Sequence, residues 1–188
     1  MSRPKYTDYE STATARIKTA FWILLEETPF NNMTMQGLAS KADVNRNTLY
    51  YHYSNLQEVA LSAFQDIVSD DLSEVFMEII LTHPAEILNI WNPAELSHRI
   101  KKMHLFAKSE SPLLRSILKE TLITHWFDKI GIRTDTLSPE NQLQVDYIIN
   151  GFIGILGNAA VASNPMILTS FPESPIGKAA FYTLQQLY

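Results

Sequence analysis

The chain has 188 residues, of which 46% are hydrophobic, so it is long enough to bury one or two hydrophobic cores. It contains no cysteine, which excludes disulfides, thiol redox sensing and cysteine metal sites and is typical of a protein of the reducing cytoplasm. The formal net charge of −5 argues against a protein that coats nucleic acid over a long surface, because phosphate neutralisation needs clustered cations.

The charge is distributed unevenly along the chain. Six basic and five acidic side chains occur up to Gln57, and nine basic and fifteen acidic ones follow it. Any contact with nucleic acid is therefore expected to be local and to lie in the N-terminal part.

No secretory signal or membrane span is expected. Residues 1–6 contain no apolar run, which argues against a signal peptide. The most apolar stretch, residues 145–162, is interrupted by Asp146, Asn150, Asn158 and three glycines. This pattern predicts a buried or interfacial helix, not a membrane-spanning one.

The hydrophobic periodicity predicts an all-α fold, and no period-two strand or internal repeat is found. The first helix is predicted over 8–27 and ends before Pro29, because proline disfavours a helical residue ahead of it. One face of this helix is apolar and is expected to face the core: Ile17, Ala20, Phe21, Leu24 and Leu25.

Residues 34–53 are predicted to form two short helices joined by a tight turn. Thr34 is a suitable N-cap for the first of them. Asp43 tolerates the left-handed conformation that such a turn needs, Val44 fills the angle between the helices, and Asn45 caps the second helix, which begins at Arg46. The apolar face of the first helix consists of Met35, Leu38, Ala39 and Ala42.

The second of these helices is too polar and aromatic to be an ordinary packing element. Only Leu49 and Tyr53 are suited to the core, whereas Arg can pair with guanine, Asn with adenine, and hydroxyls and imidazole with phosphates. The pattern therefore favours a helix that enters the major groove of DNA. The alternative is a surface helix whose tyrosines merely cover apolar neighbours.

Residues 15–59, roughly a quarter of the chain, resemble the N-terminal DNA-binding domain of the TetR family of transcriptional regulators. The resemblance rests on four ordered segments: Arg16-Ile17-x-x-Ala20-Phe21-x-x-Leu24, residues 34–42, Thr48-Leu-Tyr-Tyr-His-Tyr53, and Ser54-Asn-Leu-Gln-Glu-Val59. It implies contacts to double-stranded operator DNA, with base edges contacted by Arg46, Asn47 and Tyr50 and the backbone by Thr34, Thr48, Tyr51 and His52.

Three positions depart from the family pattern. Asp43 stands where glycine is usual in the turn, and Gly37 lies inside the second helix, where glycine costs about 1 kcal/mol relative to alanine. Leu56 stands where the family commonly has a lysine that contacts a phosphate. A capping box from Ser54 to Gln57 is predicted to offer the N-terminus of the fourth helix to that phosphate instead, with weaker nonspecific binding.

The remainder of the chain is predicted to be a helical body. The division places a helix-turn-helix DNA-binding domain at 1–58 and a helical effector-binding and dimerisation domain at 59–188. Helices are predicted over 57–82, 94–108, 112–130, 139–162 and 175–188, with an irregular stretch at 87–93.

The helix over 139–162 carries three glycines at three-residue spacing, which would allow another helix to approach closely. The resemblance implies that residues 113–127 and 147–161 pair with their two-fold mates in a homodimer, as a two-part operator requires. The alternative is that the glycines pack inside one subunit. The named interface candidates are Leu118, Leu122, Gly151, Gly154 and Gly157.

Family members usually bind a small molecule between the C-terminal helices, so the resemblance implies an unknown small-molecule effector. The candidate pocket residues combine apolar surface with a few polar tips. They are Trp91, His98, Met103, His104, Phe106, His125, Trp126 and Tyr147. Such residues at helical spacing are more often core than pocket, and for His125 a core or interface role is favoured.

An enzyme is not expected. Glu95 and His98 have the Glu-x-x-His spacing of di-iron bundles, but the second motif and the further glutamates are missing. No nucleophile elbow, phosphate-binding glycine loop or zinc-binding His pair is found, and no cofactor or metal is expected. The sequence thus predicts a homodimeric, cytoplasmic transcriptional regulator, a repressor released by an effector. The alternative is a coactivator-type regulator whose C-terminal domain binds a protein partner.

Overall fold

A computed structural model of the chain describes residues 6–68, 92–124 and 133–187, with side chains from Ala13 onward. Within those ranges the regular elements are all helical, which confirms the all-α prediction. The helices are α1 (Tyr6–Glu27), α2 (Met35–Lys41), α3 (Arg46–His52), α4 (Leu56–Gln65), α5 (Pro93–Ala107), α6 (Pro112–Leu122), α7 (Pro139–Leu156), α8 (Ala159–Ser163) and α9 (Pro175–Gln186). Short 3-10 helices occur at Phe30–Asn32, Thr134–Thr136 and Pro165–Ser170.

Local capping residues determine where most of these helices begin. The side chains of Asn92, Ser138 and Ser174 each accept a hydrogen bond from an amide in the first turn that follows. Each is followed at once by proline, whose fixed φ and missing N–H suit the first helical position. The predicted starts near Pro112 and Pro139 are confirmed.

Two predicted helices are shorter than expected. The helix predicted over 57–82 ends at Gln65, where the amides of Ile67 and Val68 donate to carbonyls three residues back and tighten the last turn. The helix predicted over 139–162 ends at Leu156, and Asn158 then caps the separate α8. Residues 69–82 and 125–130 of the predicted helices, and almost all of the predicted irregular stretch at 87–93, lie outside the described residues.

No helix in the three described ranges is long and apolar enough to cross a membrane.

Four aromatic rings join the first helices to the body of the chain. Phe106 of α5 lies with its ring centroid 4.6 Å from that of Phe64 in α4, and 5.4 and 6.3 Å from those of Trp22 and Phe21 in α1. Phe21, Phe64 and Phe106 are completely buried. The apolar core is therefore continuous across the boundary predicted at residue 58, although that boundary itself stays a prediction.

Polar contacts surround this aromatic cluster where α4 ends. The ammonium of Lys18 in α1 lies 2.9 Å from the carboxylate of Asp66, and the guanidinium of Arg99 in α5 donates to the carbonyl oxygen of Ile67. Lys102 lies 4.8 Å from the ring centroid of Trp22, and burial lowers the pKa of its ammonium. The end of α4 is thus held by α1 and α5 together.

Replacing Phe106 by alanine tests whether the aromatic cluster unites the first four helices with the body. We expect Phe106→Ala to lower the free energy of unfolding by about 3–5 kcal/mol, the usual cost of removing a buried aromatic ring. The loss should appear in a single denaturant transition followed by circular dichroism. Ile23→Ala, at an exposed apolar position of α1, is the control and should have little effect. Two separate transitions, with the first four helices unaffected, would contradict a shared core.

Candidate nucleic-acid interface

The predicted pair of short helices is present with its predicted caps. Thr34 Oγ1 accepts from the amide of Gly37 at 3.0 Å and begins α2, and Asn45 Oδ1 accepts from the amide of Asn47 at 2.8 Å and begins α3. Between them Asp43 has φ of 51°, the left-handed conformation that the sequence predicts. These local interactions determine where α3 begins.

The turn from α2 into α3 is closed by main-chain hydrogen bonds typical of a helix end followed by a left-handed residue. The amide of Val44 donates to the carbonyl of Ala39 at 3.1 Å, and the amide of Asp43 donates to that of Ser40 at 3.2 Å. Val44 is half-buried against the core, as predicted. The turn is therefore well defined although its left-handed residue is not glycine.

Arg16 of α1 contacts the same turn, a role for which the sequence analysis gave no indication. Its Nε donates to the carbonyl oxygen of Ala42 at 3.0 Å. Its Nη2 donates to the carbonyl oxygen of Asp43 and to the Oδ2 of the same residue, the latter at 2.8 Å. The contacting residues are 26 and 27 positions apart in the chain, so no local pattern could reveal them.

The side chains of α3 divide into a buried side and an exposed side. Leu49 and Tyr53 are buried, as predicted, and the hydroxyl of Tyr53 lies 3.4 Å from that of Ser62 in α4. The seven candidate DNA-contacting residues lie at least partly exposed: Thr34, Arg46, Asn47, Tyr50 and Tyr51 are exposed, and Thr48 and His52 are half-buried. The structure thus places them where a ligand could reach them.

Two ring contacts order side chains on this exposed side. The guanidinium carbon of Arg46 lies 5.3 Å from the ring centroid of Tyr50, one helical turn along α3. The rings of Tyr51 and His52 lie 5.1 Å apart, edge to face. Asn47 and Tyr51 are likewise one turn apart, and this pair is adjacent to Arg46 and Tyr50 on the helix surface. The helix α3 therefore presents one guanidinium, one amide and two phenol groups on a single face.

The start of α4 differs from its prediction. The capping box involves Asn55 and Glu58, not Ser54 and Gln57: Asn55 Oδ1 accepts from the amide of Glu58 at 3.0 Å, and Glu58 Oε2 accepts from the amide of Ser54 at 2.7 Å. The Glu58 carboxylate therefore adds negative charge at this helix N-terminus and makes it a poorer phosphate site than expected. Leu56 is half-buried and packs against the core.

The described pocket candidates lie in different environments. Phe106 is part of the aromatic cluster, and His104 is buried with its Nδ1 bonded to the carbonyl oxygen of Leu156 at 2.7 Å. His98 and Tyr147 are exposed; partial burial and the nearby Lys102 lower the pKa of His98. Met103 is half-buried, and Trp91, His125 and Trp126 lie outside the described residues.

A groove does occur elsewhere, between α1 and the end of α2, but it involves none of these candidates. It has a volume of about 720 Å³ and is open to solvent. Its two cations, Arg16 and Lys41, are ion-paired with Asp43 and Glu27. Its lining consists of Ala15, Arg16, Thr19, Ala20, Ile23, Lys41 and Ala42.

The candidate dimer residues separate into two groups. Leu118 and Leu122 are completely buried inside the subunit, so their prediction as interface residues is wrong. A Cβ built on Gly157 would lie 3.3 Å from the carbonyl oxygen of Ala107, so this glycine serves a close contact within the subunit. Gly151 and Gly154 are exposed, with open space around them.

The di-iron spacing of Glu95 and His98 has an ordinary explanation. Glu95 Oε1 forms an ion pair with Arg99 at 2.8 Å, one turn further along α5. Within the described residues no group of three or more potential metal ligands is assembled.

Comparison with known proteins agrees with the geometry of α1–α4. Residues 20–63 match the family model described as bacterial regulatory proteins, tetR family. Neither the curated proteins nor the solved structures gave a match. The matched residues begin in the second half of α1, contain α2, the turn and α3, and end within α4. Regulators of this family are non-enzymatic DNA-binding proteins, as the sequence analysis expected. The chain therefore carries a TetR family N-terminal DNA-binding domain and is a helix-turn-helix DNA-binding transcriptional regulator.

Proposed function

We propose that the protein binds a two-part operator as a homodimer in the cytoplasm and represses transcription until a small-molecule effector releases it. The observation that supports sequence-specific binding best is the exposed face of α3, which carries Arg46, Asn47, Tyr50 and Tyr51 on a helix fixed at both ends. A helix presented in this way fits the major groove, where base edges differ in their donors and acceptors.

The exposed residues of α3 have different proposed roles. Arg46 and Asn47 lie in the first turn, the part of a recognition helix that usually contacts base edges, and Tyr50 continues the row from Arg46. Thr34, Thr48, Tyr51 and His52 are proposed to contact phosphates. The hydroxyl of Thr34 caps α2 through its oxygen, so its hydrogen is free to point at a phosphate oxygen.

The exposed side of α7 supports the proposed dimer contact. Leu143 and Tyr147 are 71% and 76% exposed, and they lie one turn apart on the same side as Gly151 and Gly154. Large apolar side chains next to glycines form a surface that a second α7 could approach closely. We therefore propose that this stripe, Leu143, Tyr147, Gly151 and Gly154, forms part of the dimer contact.

The effector remains a proposal from the family resemblance. The alternative, a coactivator-type regulator whose body binds a protein partner, is kept because two of the candidates, His104 and Phe106, are buried. Operator binding by the purified protein alone distinguishes the two, because a coactivator that depends on its partner would not select DNA by itself.

Selection of bound sequences from random duplex DNA, with the purified full chain, tests the proposed function. We expect a palindrome whose half-sites are about one DNA turn apart, roughly 34–36 Å. Failure to enrich any sequence would count against autonomous sequence-specific binding and favour the partner-dependent alternative.

The roles assigned within α3 can be separated by alanine substitutions. Arg46→Ala and Asn47→Ala should each lower operator affinity by about 1–3 kcal/mol and relax the preference at a symmetric pair of base positions. Tyr51→Ala and His52→Ala should weaken operator and random DNA alike, since phosphate contacts carry no sequence information. Fluorescence anisotropy on both DNAs provides the measurement. Equal losses on both DNAs for all four variants would contradict the assignment.

The departure at Leu56 gives a further prediction. Leu56→Lys should add one phosphate contact, steepen the dependence of log affinity on log salt by about one ion, and tighten nonspecific binding. Gln57→Lys is the charge-matched control, because it adds the same charge at an exposed neighbouring position. Identical salt slopes for Leu56→Lys and the unmodified protein would mean that the start of α4 does not face the DNA backbone.

The α7 stripe is tested by two glycine substitutions with opposite expectations. Gly154→Leu has open space within the subunit and should leave a folded, helical monomer. An intruding side chain costs typically 1–3 kcal/mol, and a two-fold interface would receive it from both subunits. The variant should therefore lose cooperative binding to a palindrome.

Gly157→Leu is the matched control for this experiment. Its side chain would meet the backbone of Ala107 inside the subunit, so it should lower thermal stability without changing the association state. Sedimentation velocity at micromolar concentration measures both variants. A Gly154→Leu protein that stays dimeric and binds its operator normally would require a dimer contact elsewhere.

A further inference from the structure

We propose that Arg16 is a positioning residue that sets the orientation of α3, because it closes the turn between α2 and α3 from a third helix. The proposal rests on the proposed function, in which α3 contacts the bases. It concerns a residue that lies outside the matched segment 20–63.

Some carbonyl groups of the turn accept hydrogen bonds from main-chain amides, and two others accept from a side chain. The carbonyls of Ala39 and Ser40 accept from the amides of Val44 and Asp43. Two carbonyls further along the turn, those of Ala42 and Asp43, accept from Arg16. One guanidinium therefore supplies donors to two carbonyls of the turn that follows α2.

The geometry of guanidinium suits this task. Its Nε and Nη2 donate in a fixed, planar arrangement, so contacts to two consecutive carbonyls fix the direction of the peptide between them. The backbone of α1 at Arg16 is held in place because the next residue, Ile17, is completely buried in the core. The position of the turn is thus fixed relative to α1 and not only relative to α2 and α3.

The third contact of Arg16 explains how Asp43 can replace the usual glycine. A non-glycine residue with positive φ is disfavoured, although Asp tolerates it better than most. The Asp43 carboxylate lies 2.8 Å from Nη2 of Arg16 and gives the left-handed residue an additional partner. Arg16 and Asp43 together take the place of a glycine turn.

This arrangement is expected to affect orientation more than stability. The side chains of Arg16 and Asp43 are 42% and 99% exposed, and exposed ion pairs contribute little to the free energy of unfolding. The start of α3 at Arg46, however, lies only three residues after Asp43. A small rotation of the turn would therefore displace Arg46 and Asn47, whose paired hydrogen bonds to base edges tolerate little displacement.

The test compares affinities for the selected operator and for random DNA. Arg16→Ala and Arg16→Lys should both lower operator affinity by about tenfold, comparable to the loss of one good base contact. Lysine should fail to rescue because it keeps the charge but lacks the forked donors. Affinity for random DNA and the salt slope should change little. Lys41→Ala, which removes a cation near the end of the same helix, is the control and should retain operator preference.

Substitutions at Asp43 separate the side-chain contact from the main-chain contacts. Asp43→Asn keeps tolerance of the left-handed conformation and removes the charge, and Asp43→Gly removes the conformational cost and the carboxylate together. Both should retain most operator preference, because Arg16 still contacts the two carbonyls. Arg16→Ala in the Asp43→Gly background should still lose preference for the operator.

A measurement without DNA distinguishes failure of this inference from failure of the proposed function. Hydrogen exchange should quicken at the amides of residues 43–49 in Arg16→Ala and Arg16→Lys, while amides of α4 stay protected. If the unmodified protein selects no operator, the proposed function fails, and the exchange result still decides whether Arg16 holds the turn. The inference is overturned if exchange is unchanged, if Arg16→Lys binds the operator normally, or if operator and random DNA lose affinity equally with a shallower salt slope.

Discussion

The packing of Phe106 against rings of α1 and α4 is the interaction on which the rest of the structure depends. Two of the first four helices, α2 and α3, have only seven residues each and so depend on packing against their neighbours. Phe106 of α5 adds apolar contacts to α1 and α4, although it lies 42 positions after Phe64 in the chain. The recognition helix is therefore held by a core that includes the body of the protein.

The polar contacts around this shared core link the position of α5 to the positions of α1 and α4. Lys18 and Arg99 hold Asp66 and Ile67, the residues at which α4 ends, from α1 and α5 respectively. A change in the position of α5 would have to alter these contacts together with the aromatic packing. Closely packed elements tend to have discrete arrangements, so a shift of α5 would be transmitted to α3 by the packing of α1 and α4.

The sequence predicted those features that depend on neighbouring residues. The caps at Thr34 and Asn45, the left-handed Asp43, the start of α3 and the proline starts of α6 and α7 all follow from local chemistry. The buried positions Leu49 and Tyr53 followed from helical spacing, and the DNA-contact candidates from residue type and family resemblance.

What the sequence could not predict depends on residues far apart in the chain. The end of α4 at Gln65 coincides with contacts from Lys18 and Arg99, and Gly157 packs against the backbone of Ala107. Phe106 and Leu118 have the same apolar character whether they line a pocket, an interface or a core, and only the packing places them in the core. The capping box moved by one residue because Asn55 and Glu58 compete with Ser54 and Gln57 for the same role.

The placement of charges indicates how such an acidic protein can bind DNA. In the described part of α1–α4, Arg16, Lys18 and Lys41 each form an ion pair with a carboxylate, whereas Arg46 contacts the ring of Tyr50. Phosphate neutralisation by one subunit is therefore limited, and less affinity is available from counterion release than in a strongly basic domain. Specific contacts to base edges must then carry a larger share of the binding free energy. Because a single α3 offers few such contacts, two recognition helices joined in a dimer would be needed to distinguish an operator from the excess of other sequences.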